Sequence, residues 1–168
     1  FFVKRAGIPR ERCIGFGGQL DSARFRRILG ASGIHGPGYV LGEHGEHQVP
    51  LFPPLRDPVD PETREKILST LRGASMEIIR GKEGTIFGPA WHLLRLVRSI
   101  LQGSDEPVPC SCVLDGEYGF SGCSLGVPVQ VGKEGIRRIE EWPLDSWEEA
   151  HLREAASFLS DLSRRIDG

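Results

Sequence analysis

Apolar residues recur at helical spacing in several stretches of the chain. Asp21 is a suitable N-cap for a first predicted helix over Ser22–Leu29. Asp60, followed by a proline, predicts the start of a second helix that continues to about Arg80. A third predicted helix opens at Pro89. The positions expected to face inward on the second and third helices are Ile67, Leu68, Leu71, Ala74, Ile78 and Ile79, then Leu93, Leu94, Val97, Ile100 and Leu101.

The remaining segments predict short strands and one more helix. A capping-box pattern, Ser-x-x-Glu, begins the last helix at Ser146–Glu149, and residues 1–6 are typical of a helix end. The dipeptide Asp115-Gly116 favours a hairpin turn between two apolar runs. The predicted strands are Arg12–Phe16, Tyr39–Leu41, Val108–Leu114, Phe120–Val131 and Ile136–Trp142, and the inward positions of the last helix are Trp147, Leu152, Ala155, Ala156, Leu159, Leu162 and Ile166. Helices and antiparallel hairpins in blocks predict an α+β fold, an antiparallel sheet packed with long helices.

Composition narrows the class of protein. The chain has 168 residues, 39% of them hydrophobic, and a net charge of −2. A near-neutral balance argues against a nucleic-acid partner, and no apolar run is long enough to predict a membrane span or a signal peptide. The 4 cysteines lack the spacing of a zinc or redox motif, so we expect free thiols and a cytoplasmic setting.

Glycines in Cys13–Gly18 suggest a dinucleotide fingerprint at first sight, because a predicted strand precedes them and a helix follows. Leu20 stands where the third glycine belongs, and no acidic residue follows at the spacing that the motif requires. The segment is more typical of a flexible connection between a strand and a helix.

The segment Gly42–His47 contains two glutamates and two histidines between glycines. Three interpretations stay open: a metal site using His44, Glu46 and His47, a solvated loop, or a loop that presents an acid/base histidine to a small substrate. The spacing does not match the helical His-Glu-x-x-His zinc motif, and the glycines would break such a helix.

Asp21 and Arg24 are three residues apart on a predicted helix, so both side chains can lie on one face. A helix cap with a solvated arginine is one interpretation. The other joins them to His44: a carboxylate orients a basic histidine, and an arginine binds a substrate carboxylate in two-pronged fashion. The three side chains would then suit a 2-hydroxy acid.

Two motifs carry a family resemblance. Gly18-Gln19-Leu20-Asp21-Ser22-Ala23-Arg24-Phe25 and Val40-Leu41-Gly42-Glu43-His44-Gly45-Glu46 resemble the catalytic half of the L-lactate/L-malate dehydrogenase family. Gly84-Thr85-Ile86-Phe87-Gly88-Pro89-Ala90, Gly116-Glu117-Tyr118-Gly119 and Gly126-Val127-Pro128 look most like its archaeal, lactate-dehydrogenase-like malate dehydrogenases. The resemblance covers nearly the whole chain.

The resemblance implies a role for each matching residue. His44 matches the family's proton acceptor and donor, Asp21 the carboxylate that orients it, and Arg24 the arginine that binds the substrate carboxylate. Thr85 matches a threonine or serine of the substrate pocket, and Glu46 stands where the family usually has aspartate. We then expect Asp21 and His44 within hydrogen-bond reach, with the Arg24 guanidinium open to solvent in the same hollow.

The resemblance also implies an activity and partners. The activity is oxidation of malate to oxaloacetate with NAD or NADP, no resident metal, and assembly as a homodimer or homotetramer. A lactate dehydrogenase domain and a non-catalytic oligomerisation module of the same fold are the alternatives. The family's nucleotide fingerprint, mobile loop and substrate-positioning asparagine have no counterpart in the chain, so we expect residues 1–16 to be the end of a nucleotide-binding domain and its junction. Residues 17–168 would form the substrate domain, inactive alone.

Overall fold

A five-stranded antiparallel sheet forms the centre of the computed structural model, which describes residues 2–52, 58–82 and 84–167. Its strands are β1 (Val40–Gly42), β2 (Gln48–Pro50), β3 (Val108–Asp115), β4 (Ser121–Gly132) and β5 (Gly135–Ile139). The order is β2-β1-β4-β3, and β5 pairs with β4 as well. Every pairing between these strands is antiparallel, which confirms the predicted α+β class.

Five α-helices surround the sheet within the described residues. They are α1 (Phe2–Ala6), α2 (Gly18–Ala31), α3 (Pro61–Lys82), α4 (Phe87–Gln102) and α5 (Ser146–Asp167). Single 3-10 turns occupy Arg10–Arg12 and Glu117–Gly119. Across the described ranges, none of the helices has the length and apolar character needed to cross a membrane.

Two clusters of buried side chains hold these layers together. The larger one joins the inner face of the sheet to α5, through residues such as Leu125, Val127 and Leu152. The smaller one joins α2 to α3 through Phe25 and Leu71 among others. Because α2 also contacts β1 and β3, it lies between the two clusters, and its first turn is held on both sides.

The start of α2 differs from the prediction. The helix begins at Gly18, so Asp21 is not its N-cap but a residue of its first turn. The Gln19 side-chain oxygen accepts a hydrogen bond from the backbone N–H of Gly17 at 3.3 Å, before the first turn. A pair of glycines normally indicates a break, and burial of Leu20 and Asp21 on the inner side of the helix overrides that tendency.

Two strand predictions need correction, and one strand was not predicted. Residues 12–16 do not form a strand, since Arg10–Arg12 is a 3-10 turn and Gly15 alone pairs with Ser111. Gln48–Pro50 forms β2, which the sequence did not predict because it is only three residues long and ends in proline. β5 ends at Ile139 rather than Trp142, whose backbone N–H donates to the Tyr118 hydroxyl at 2.9 Å instead of to the sheet.

Helix α4 buries a different face from the one predicted. It begins at Phe87, and its buried side chain is Leu96, which is 4% exposed. Ile100 is partly buried, but the other positions predicted to face inward are exposed: Leu93, Leu94, Val97 and Leu101. In α3 the predicted Ile67, Leu68 and Leu71 are buried, Ala74 is half-buried and Ile79 is exposed. The Ile78 side chain and residues 53–57 lie outside the described residues.

The N-cap of α5 lies one residue before the predicted capping box. The Asp145 carboxylate accepts from the Glu148 N–H at 2.9 Å, and Glu148 accepts in return from the Asp145 N–H at 3.0 Å. Leu152, Ala155 and Ala156 are buried as predicted, and Trp147 and Leu159 are half-buried. Leu162 and Ile166, predicted inward, are exposed near the end of the helix.

Candidate active site

A buried carboxylate and a half-exposed histidine meet where α2 faces the β1–β2 hairpin. Asp21 is 1% exposed in the first turn of α2, and His44 stands on the loop between β1 and β2. One oxygen of Asp21 lies 2.6 Å from Nδ1 of His44 across 23 positions of sequence. This contact confirms the predicted meeting of the two side chains, while their roles stay a prediction.

Arg24 contacts the same carboxylate from one turn further along α2. Its Nη1 donates to Oδ1 of Asp21 at 3.3 Å, while His44 uses Oδ2. The Arg24 side chain is 17% exposed, so the guanidinium is less open to solvent than we expected. Asp21 therefore fixes a histidine and an arginine at the same time, one on each oxygen.

The environment of His44 favours its charged form. The pKa of His44 is raised above its ordinary value, mainly because Asp21 accepts a hydrogen bond from the ring. Partial burial and the nearby charge of Arg24 act in the opposite direction, and the Glu43 carboxylate adds to the increase. The hydrogen bond of Nδ1 leaves Nε2, the other ring nitrogen, available to a ligand.

Gly17 makes room for the imidazole. A Cβ at this position would lie 2.7 Å from Cγ of His44, far inside van der Waals contact. Its φ of +147° is also one that residues with side chains rarely adopt. The glycines before α2 are more than the flexible connection that their sequence suggests, because Gly17 permits the close approach of α2 and the His44 loop.

Ser22 fixes the relative placement of the two motifs. Its buried hydroxyl accepts a hydrogen bond from the backbone N–H of Val40 at 3.0 Å and so ties α2 to the start of β1. Gln19 ties the same helix to β3, because its amide donates to the Cys110 sulfur at 3.1 Å. We did not single out either residue from the sequence, because hydrogen bonds over 18 and 91 positions leave no local pattern.

A cavity of about 270 Å³ opens beside the pair. Asp21 and His44 line it, together with residues from β1, β3, β4 and α5, whereas Arg24, which we expected in the same hollow, is not among the lining residues. Thr85 lies just before α4 and is half-buried. Within the described residues Thr85 makes no hydrogen bond or ion pair with Asp21, Arg24 or His44, so its predicted place in a substrate pocket stays a prediction.

One of the three interpretations of the His44 loop is a metal site using His44, Glu46 and His47. Across the residues that the structure describes, no group of three or more histidine, cysteine, aspartate or glutamate side chains is placed to share an ion. His47, one of the ligands in that interpretation, instead stacks on Phe158 of α5 with ring centroids 4.3 Å apart.

Comparison with known proteins gives the family. Residues 18–165 match the family described as lactate/malate dehydrogenase, alpha/beta C-terminal domain. Over 166 residues the chain is 42% identical to a malate dehydrogenase of Haloarcula marismortui, covering 94% of this chain and 55% of that protein. The chain belongs to the lactate/malate dehydrogenase family. The predicted resemblance is thereby confirmed.

Solved structures of lactate/malate dehydrogenases have the same fold. A malate dehydrogenase from Aeropyrum pernix matches with a TM-score of 0.83 and 33% identity, over 97% of this chain and 58% of that one. One from Archaeoglobus fulgidus, in complex with NADH, matches with a TM-score of 0.85 and 31% identity, over 99% and 56%. An L-lactate dehydrogenase of Halalkalibacterium halodurans is 33% identical over 97% of this chain and 56% of that protein. The chain thus spans just over half the length of these relatives.

Proposed function

We propose that the chain supplies the proton-transferring and carboxylate-binding half of an NAD(P)-dependent malate dehydrogenase. The observation that carries the proposal is that one buried carboxylate, that of Asp21, contacts both His44 and Arg24. The 42% identity to a malate dehydrogenase, against 33% to a lactate dehydrogenase, favours malate as the substrate.

In this proposal His44 carries the proton. With Nδ1–H donating a hydrogen bond to Asp21, the neutral ring presents the lone pair of Nε2 to the C2 hydroxyl of malate and accepts that hydroxyl's proton. Asp21 then stabilises the imidazolium without taking the proton itself. A bound nicotinamide would supply the hydride chemistry at the same carbon. In the reverse direction His44 returns the proton to the carbonyl oxygen of oxaloacetate.

Arg24 binds the substrate's C1 carboxylate in this proposal. A guanidinium has five N–H donors in one plane, and among the described contacts of Arg24 only Nη1 is engaged, by Asp21. A planar fork is the partner that suits a carboxylate. Because Arg24 and His44 share Asp21, the C2 hydroxyl of a substrate held by Arg24 would face the imidazole.

The described residues suit the reacting end of the cofactor better than its phosphates. The glycines at and just before the start of α2 already face other groups at close range: a Cβ on Gly15 would meet Ser111, one on Gly17 would meet His44, and one on Gly18 would meet Pro109. A pyrophosphate cradle needs such backbone to be free to approach the ligand. We therefore assign the dinucleotide, NAD or NADP, mainly to residues outside 17–168, and we keep residues 1–16 as the proposed junction with that domain. The NADH complex of the Archaeoglobus fulgidus enzyme supports a nicotinamide cofactor for the family.

The assay that tests this proposal is oxaloacetate-dependent oxidation of NADH. We expect none from the 168-residue chain alone, and a normal turnover would contradict the assignment of the cofactor site. A chimera that joins residues 17–168 to the nucleotide-binding half of the Archaeoglobus fulgidus enzyme should be active. His44→Gln in that chimera should lower turnover by about 10²–10⁴-fold, whereas the control Glu46→Gln, an exposed neighbour on the same loop, should retain most of it.

The same chimera separates malate from lactate chemistry. Faster turnover with oxaloacetate than with pyruvate supports the malate proposal, and the reverse order would replace it with lactate dehydrogenase. A well-folded chimera that is inactive with both substrates would favour the non-catalytic module instead.

A further inference from the structure

A second histidine, His47, lies at the base of the loop that carries His44. The backbone N–H of Glu43 donates to the His47 carbonyl at 3.0 Å, and the backbone N–H of His47 donates to the Glu43 carboxylate at 3.2 Å. Gly45 permits this arrangement, since a Cβ there would collide with that carboxylate. The loop is therefore closed on itself, with His44 between the two residues that close it.

The His47 ring connects this closed loop to helix α5. It stacks on the Phe158 ring with centroids 4.3 Å apart and planes only 21° from parallel. On its other side, Nδ1 lies 3.7 Å from Oε2 of Glu43. This nitrogen is buried and, among the described residues, has no hydrogen-bond partner. The contact of the His47 ring with α5 is therefore one of packing, through the stack on Phe158.

The loop is thus fixed at two points, one on α2 and one on α5. His44 is bound to α2 through Asp21 at 2.6 Å, and His47, three residues later, is held against α5. The Glu43 carboxylate interacts with both histidines: its Oε2 lies 3.7 Å from Nδ1 of His47, and its charge raises the pKa of His44. Glu43, His44 and His47 belong to one short loop. Movement of the His47 ring would therefore shift Glu43 and change the distance from His44 to Asp21.

We propose that His47 is a positioning residue for His44: by stacking on Phe158 and facing Glu43, it holds the loop where Nδ1 of His44 meets the carboxylate of Asp21. The inference rests on the proposed function only in taking His44 as the proton carrier. A purely structural role would affect the stability of the fold and leave the coupling between Asp21 and His44 unchanged.

That coupling can be measured by NMR titration of the His44 ring. The observable is the drop in the His44 pKa caused by Asp21→Asn, determined once in the wild-type background and once with His47→Ala. We expect the drop in the His47→Ala background to be about half of the wild-type value or less. His47→Phe keeps an aromatic ring against Phe158 and should restore most of the coupling. His35→Ala, at an exposed loop histidine, is the matched control and should have no effect.

An unchanged coupling in folded His47→Ala protein would overturn the proposal. If His47→Ala does not fold, Phe158→Leu removes the stack from the side of α5. A reduced coupling between Asp21 and His44 in that variant would support the proposal, and an unchanged coupling would overturn it. The result is independent of the activity of the chimera. An inactive chimera together with a reduced coupling in His47→Ala would refute the proposed function and support the positioning role. An active chimera together with an unchanged coupling would support the proposed function and refute the positioning role.

Discussion

The hydrogen bond between Asp21 and His44 controls the charge of the imidazole at the site. Replacing Asp21 with asparagine should lower the pKa of His44, because that hydrogen bond is the largest contribution that raises it. NMR titration of the ring measures the change, with the His35 ring in the same spectra as an internal reference. A His44 pKa that does not fall would mean that the two side chains are uncoupled in solution.

The same pair makes stability depend on pH. Since folding raises the pKa of His44, the pair stabilises the fold in full below the unfolded pKa of about 6.5, and this contribution is lost as the pH rises through the folded pKa. Urea unfolding should therefore find a larger difference between wild type and Asp21→Asn in acidic buffer than in alkaline buffer. An equal difference at both ends would contradict the assigned direction.

Gly17 should tolerate no side chain. Gly17→Ala places a methyl group against the His44 ring and forces alanine into a φ of +147°, so we expect a loss of stability above about 1 kcal/mol. Gly30→Ala, within the helix that follows Gly17, is the matched control, with open space around it, and should stabilise by about 0.5–1 kcal/mol. Thermal unfolding of both variants tests the pair, and equal effects would argue against the close approach.

The sequence could predict those residues of the site whose chemistry is local. Asp21, Arg24 and His44 are identifiable because a carboxylate, an arginine and a glycine-flanked histidine stand in two recognisable motifs. Gly17 and Ser22 act across the fold, on His44 and on Val40, and no spacing along the chain reveals those contacts. Their roles become visible only when α2 and the β1–β2 hairpin are in place.

At the level of the elements, the N-cap of α5 can be tested residue by residue. Asp145→Ala removes the side chain that accepts the Glu148 N–H and should cost about 1 kcal/mol or more. Ser146→Ala should have little effect, although the capping-box pattern points to that serine. Asp145→Asn keeps a good cap while removing the charge that pairs with Arg64, so it separates capping from the ion pair. Urea unfolding of the three variants measures the loss in free energy of unfolding. A larger loss for Ser146→Ala than for Asp145→Ala would show that Ser146 is the N-cap, as the capping-box pattern predicts.

Helix α4 shows where periodicity alone stops being sufficient. Apolar residues occur on more than one side of this helix, so the pattern permits several inward faces. The structure buries Leu96 toward β4, whereas the stripe that the sequence favoured is exposed. In α3 the favoured stripe is the covered one, since the predicted Ile67, Leu68 and Leu71 are buried. When a helix has apolar residues on more than one side, the elements that pack against it determine which side is buried.

On the surface of the described residues, α4 exposes a stripe of large apolar side chains. Phe87 is 78% exposed, Trp91 58%, Leu94 52% and Leu101 58%, all on one helix. Trp147, by contrast, is half-buried, and its Nε1 donates to Glu65 at 3.0 Å, so it does not add to this stripe. Contiguous apolar surface of this kind favours association between copies of a protein.

We therefore expect the chain to self-associate through α4. Sedimentation at increasing concentration should give masses above 18.5 kDa for the wild type. Leu94→Lys introduces a charge in the middle of the stripe, where burying it against a second copy would be costly, and should shift the protein toward the monomer. Leu162→Lys is the control, since it adds the same charge at an exposed apolar position of α5 and should leave association unchanged. A wild-type monomer at high concentration would contradict association altogether, and dispersal by Leu162→Lys alone would move the interface from α4 to α5.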